Sequence, residues 1–120
     1  MDSNKLKEIF KIQTINFIND LLLVFNNDNL IKNIKEKIIL QLEDNNFFNN
    51  LNIYFSKNIE NGINTKNIEL LLNNNKYLLP ISGENIVKIK LQSYWLKLDN
   101  NNREKVWLYL DILLNIYRKI

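Results

Sequence analysis

Trp95 and Trp107 are the only tryptophans of the chain, and Arg103 lies four residues before Trp107. On a helix that spacing lets the guanidinium cover the indole, a cation–π pair worth about 0.5 kcal/mol when exposed. Indole and guanidinium are also the groups that most often anchor a protein partner. A second group, Asn16, Asn19 and Asp20, shares one helix face and would form a polar recognition strip. These six residues, Asn16, Asn19, Asp20, Trp95, Arg103 and Trp107, are the candidate partner surface. Packing offers a plainer use for the same residues. The short DNNN connection at 99–102 forces the helices on either side to be neighbours, so both indoles are expected to pack between them. Asn16, Asn19 and Asp20 then form the solvated side of a helix.

The acids suggest no reaction. Glu43–Asp44 is a pair in a turn, and Asp99 sits in a connection. Two-carboxylate catalysis needs acids paired across a cleft, and nothing here has that spacing. The chain contains no His and no Cys, which removes imidazole catalysis, thiolate chemistry, zinc clusters and disulfides. With two glycines it has no phosphate-cradling loop. The expectation is a protein that is not an enzyme and carries no metal and no cofactor.

A net charge of +3 invites a nucleic-acid reading. Only Arg103 and Arg118 are arginines, however, and lysines alternate with acids, as in KEK at 35–37. Bidentate readers of bases and phosphates are therefore scarce, and no basic stripe is visible. The longest apolar run, Leu21 to Phe25, is far short of the ~20 residues of a membrane span. The N-terminus shows no apolar signal region with a small-residue cleavage site. Asn, Ile and Lys dominate and Ala is missing, the bias of A/T-rich codons. Without the best helix former, packing must hold the helices.

Those helices are legible from periodicity. From about Asn4 to Asn26, Leu6, Phe10, Ile15, Phe17, Ile18, Leu21, Leu22, Val24 and Phe25 share one broad arc, with Ser3 or Asn4 as the expected cap. A second helix, about Leu30 to Leu42, puts Ile31, Ile34, Ile38 and Leu42 on one side. Phe47 to Ile59 reads as a third, stopped by Gly62 in a left-handed turn. Thr65 to Leu72 is a shorter apolar helix. Pro80 forbids regular helix in KYLLPIS at 76–82, and Ser82 and Gly83 would open the next element. Residues 85–92 fit either period: Val87, Ile89 and Leu91 alternate as in a strand, while Val87, Leu91, Tyr94 and Leu98 line one helix face. Helix is the preferred reading, with a short β-hairpin over 77–91 as the alternative. The last helix runs from about Asn102 to Lys119, with Asn101 and Glu104 spaced as a capping box.

Two stretches together resemble uncharacterised proteins of giant nucleocytoplasmic DNA viruses. INFINDLLLVF at 15–25 is one, and LLPIS at 78–82, WLKL at 95–98 and REKVWLYLDILL at 103–114 form the other. The likeness is carried by Asp20, Leu21, Leu22, Phe25, Leu79, Pro80, Trp95, Trp107, Tyr109, Leu110 and Leu113. In those relatives an N-terminal helix of similar pattern precedes an LLP segment and a final helix reading I-W-K-Y-L-x-x-L. Asn26–Asn27 stands where they have Pro-Glu, Leu108 replaces a Lys, and residues 30–70 have no counterpart. The resemblance implies viral origin and no activity. The chain is thus read as one compact all-α domain over residues 1–120, a bundle of about five or six helices. Its expected work is binding another protein, viral or host, or itself as a homo-oligomer, in the virion or the host-cell cytoplasm, away from membrane. The alternative is a small basic nucleic-acid-associated protein.

Overall fold

The computed structural model describes residues 2–73 and 84–120. Helix covers 85% of them, and no strand occurs among them. The elements are α1 (Ser3–Val24), α2 (Asn29–Leu42), α3 (Asn45–Asn49), α4 (Leu51–Tyr54), α5 (Lys57–Asn64), α6 (Ile68–Asn73), α7 (Glu84–Lys97) and α8 (Asn100–Lys119). The all-α expectation is met, with eight helices among the described residues instead of five or six. Residues 84–91 are helical, not the strand of the alternative reading, and the rest of the 77–91 hairpin lies outside the described residues. Pro80, the LLPIS segment and the proposed opening by Ser82 and Gly83 lie outside the described residues.

The added helices arise from caps that interrupt the periodicity. The carboxylate of Asp44 accepts from the Asn46 N–H at 2.9 Å and starts α3. The Ser56 hydroxyl accepts from the Ile59 N–H at 3.4 Å and starts α5. A helix start between Phe47 and Ile59 breaks the single element that their spacing suggests. Aspartate does the same work elsewhere. Asp2, rather than Ser3 or Asn4, caps α1 through the Lys5 N–H at 2.8 Å. Asp28 caps α2 through Leu30 and Ile31 at 2.9 and 3.2 Å. Each such cap is worth about 1 kcal/mol.

Gly62 does not stop a helix. It lies inside α5, buried, where an added Cβ would meet Leu70 Cβ at 3.2 Å and the Asn67 oxygen at 3.3 Å. That oxygen belongs to a turn pinned by the Asn67 N–H donating to the Gly62 carbonyl at 2.8 Å. The glycine therefore permits α5 and α6 to approach closely. The left-handed residue that ends α5 is Lys66, at φ 52°.

Contacts divide the chain into two compact units, residues 1–51 with 112–120, and residues 52–111. In the first, α1 packs on α2 and α2 on α3. Its buried residues include Leu6, Phe10, Ile18, Leu22, Ile31, Ile34, Leu42, Phe48 and Leu114. Phe10 meets Phe47 and Phe48 at centroid separations of 6.3 and 5.8 Å, the latter edge to face. In the second, α5 packs on α6 and α6 on α7, over Phe55, Ile59, Ile63, Leu72, Leu98 and Trp107. Residues 100–111 of α8 belong to the second unit and residues 112–119 to the first.

Candidate functional site

Trp95, Arg103 and Trp107 come together in the second unit. The α7–α8 turn is set by Asp99, whose carboxylate accepts from the Asn102 N–H at 2.8 Å. Asp99 therefore takes the capping role expected of Asn101. Asp44 is explained in the same way.

The turn brings the two indoles edge to face, with ring centroids 5.3 Å apart and planes at 72°. Trp107 is only 6% exposed and Trp95 is half-buried, so only the former is a core residue. Pairs of this geometry add about 0.5–1.5 kcal/mol beyond the area they bury.

Arg103 does not cover Trp107 as the i, i+4 spacing suggests. Its guanidinium lies over Trp95, 5.1 Å from the ring centroid. Its Nε and Nη2 both donate to the Trp95 carbonyl oxygen, at 3.1 and 2.9 Å. That oxygen belongs to the last turn of α7, where it also accepts from the Leu98 N–H at 3.2 Å. Arg103 thus caps the end of one helix from the start of the next and stacks on the side chain of the residue it caps. A planar fork is needed to do both, and an ammonium cannot. Arg103→Ala is expected to cost about 1–2 kcal/mol in denaturant midpoint and to make Trp95 more accessible to iodide quenching. Arg103→Lys should recover little of either, and a lysine variant indistinguishable from the native protein would refute the fork.

A second tie joins the same unit, Lys66 Nζ to Glu104 Oε2 at 3.0 Å. Both side chains are more than half exposed, so this pair contributes little to stability. Beside each tryptophan in sequence stands an exposed leucine, Leu96 at 76% and Leu108 at 60%. Neither leucine is among the six candidate residues, although both lie off the apolar faces that the helical period marks on these two helices.

Asn16, Asn19 and Asp20 fall in the first unit, on α1, where Asn16 and Asp20 are exposed and Asn19 is half-exposed. The six candidate residues therefore form two groups, one in each unit. Among the described residues no charged or polar side chain is buried, and no group of three acids gathers to hold a metal ion. No described helix is long and apolar enough to cross a membrane. No family model, curated protein or solved structure matches the chain.

Proposed function

We propose that this chain is a non-enzymatic protein-binding module of a large DNA virus, working in the particle or in the host-cell cytoplasm. The viral origin rests on the resemblance at residues 15–25, 78–82, 95–98 and 103–114 and on the A/T-rich residue bias. The binding role rests on one observation, the exposure of two leucines, Leu96 and Leu108, each next in sequence to one of the paired tryptophans. Burying one leucine side chain yields about 1.5–3 kcal/mol, so two of them supply the core of an interface. The Arg103 clamp holds the backbone of this region in one conformation, which lowers the ordering cost of binding.

The nucleic-acid alternative loses support from the same clamp. One of the two arginines is committed to Trp95, and Lys11 and Lys66 are paired with Glu8 and Glu104. Tagged native chain and a Leu96→Lys variant, each cross-linked in producing cells, separate the readings. A defined partner recovered with the native chain and lost from an equally stable Leu96→Lys chain is the expected result. Salt-dependent gel-shift of DNA or RNA, indifferent to Leu96, would favour the alternative instead.

A further inference from the structure

Helix α1 buries one side through Leu6, Phe10, Ile18 and Leu22. At about 100° per residue, the opposite side carries Ile12, Asn16, Asn19 and Leu23 within an arc of roughly 60°. Ile12 is 54% exposed and Leu23 is 77% exposed. A four–three–four spacing is that of a coiled-coil seam, and this seam faces away from the core that α1 helps to form.

The order apolar, amide, amide, apolar reads the same from either end. Two copies of α1 laid antiparallel, about a two-fold axis between Phe17 and Ile18, bring Ile12 of each against Leu23 of the other. The same operation sets Asn16 of each against Asn19 of the other. A carboxamide is both donor and acceptor, so facing asparagines satisfy one another. The four seam residues carry no charge; of the ions flanking them, Glu8 and Lys11 pair with each other at 3.2 Å, and Asp20 is exposed beside Asn19. Neither an acidic nor a basic partner is selected, whereas a copy of the same seam is. Sliding the two helices by one heptad would set amides against apolar side chains, which fixes the register. Beside the seam the antiparallel sense places Gln13 opposite Asp20, while the parallel sense would place Ile15 there.

We propose that this face of α1 is a homotypic docking site whose occupant is α1 of a second copy of the chain, antiparallel and two-fold symmetric. The proposal rests on the reading of the chain as a protein-binding module and names one partner for it. Isologous two-fold pairing is the commonest form of self-association. A helix of 22 residues is about 33 Å long, and four layers of side chains cover less than the about 800 Å² per partner of a standard interface. The dimer is therefore one that forms at high local concentration, as within an assembled particle.

Sedimentation equilibrium of the full chain, from about 10 μM to about 1 mM, reads the association directly. The expected result is a mass rising from monomer towards dimer. Leu23→Lys should weaken it at least about tenfold with unchanged melting, because Leu23 is exposed. Orientation is read by disulfide trapping, which is clean because the chain contains no cysteine. In an oxidised equimolar mixture of Asn16→Cys and Asn19→Cys chains, the mixed pair should clearly exceed the two self-pairs taken together, because random pairing alone makes it equal to their sum. A chain that stays monomeric throughout, an association indifferent to Leu23→Lys, or a mixed pair no more abundant than the self-pairs together would each overturn the proposal. A different protein that is lost with Leu96→Lys but kept by a monomeric chain would sink this docking site and leave the protein-binding role standing.

Discussion

Trp107→Ala should lower the stability of the protein by about 3–5 kcal/mol, the usual cost of deleting a buried indole. The ring is 6% exposed and forms one half of the edge-to-face pair with Trp95, so its loss leaves both a cavity and an unsupported partner. A domain of this size is held by roughly 5–15 kcal/mol, so the variant should unfold at a much lower denaturant concentration or fail to fold at 37 °C. Emission from Trp95, then the only indole, should shift to the red and become more accessible to iodide. An alanine variant with the native denaturation midpoint would show that Trp107 serves a partner, not the core.

Phe10→Ala should cost a similar ~3–5 kcal/mol, by a route the tryptophans do not see. Phe10 is buried against Phe47 and Phe48 in the first unit, whereas both indoles lie in the second. Loss of far-ultraviolet ellipticity on heating is therefore the measurement to use, since it reports every helix. The two lysines placed over Phe48, Lys7 and Lys11 at 5.7 and 5.8 Å, are exposed or half-exposed and cannot replace the lost packing. A phenylalanine-to-alanine variant that melts within a degree or two of the native protein would show that the cluster is not a core.

The long helices were legible because their apolar residues recur over enough turns to outvote local chemistry. Leu6, Phe10, Ile18 and Leu22 are buried where the arc of the first helix places them, as are Ile31, Ile34 and Leu42 in the second. Between Phe47 and Ile59 the period continues, but Asp44 and Ser56 each satisfy the amides of a new first turn. A local hydrogen bond that starts a helix has no signature in hydrophobic spacing. The signal lies in the aspartates: three Asn-rich breaks, NNDN at 26–29, EDNN at 43–46 and DNNN at 99–102, each contain an Asp that caps the next helix. A glycine beside a helix end is usually a left-handed stop, whereas Gly62 is a place where two helices touch.

The site was legible in its membership and not in its pairing. Arg103 and Trp107 are four residues apart, and the helix period makes them partners. The turn at Asp99 instead presents Arg103 with the end of another helix, where a last-turn carbonyl and a half-buried indole engage the guanidinium together. No local rule contains that competitor, because it lies across a connection. The exposed seam of α1 was equally hidden, since Asn16 and Asn19 looked like ordinary solvated residues until burial placed Ile12 and Leu23 beside them in water.

The division of α8 between the two units fixes an order of events during synthesis. Residues 52–111 are contiguous, so everything the second unit needs has been made once Asp111 has been added. The first unit cannot be completed then, although its first 51 residues left the ribosome earlier, because it includes 112–120 and the fully buried Leu114. The helices of residues 1–51 remain incompletely covered until residues 112–120 arrive, and exposed apolar surface in a growing chain invites aggregation or a chaperone. A premature stop just after Asp111 would therefore harm the beginning of the protein more than the segment it directly follows.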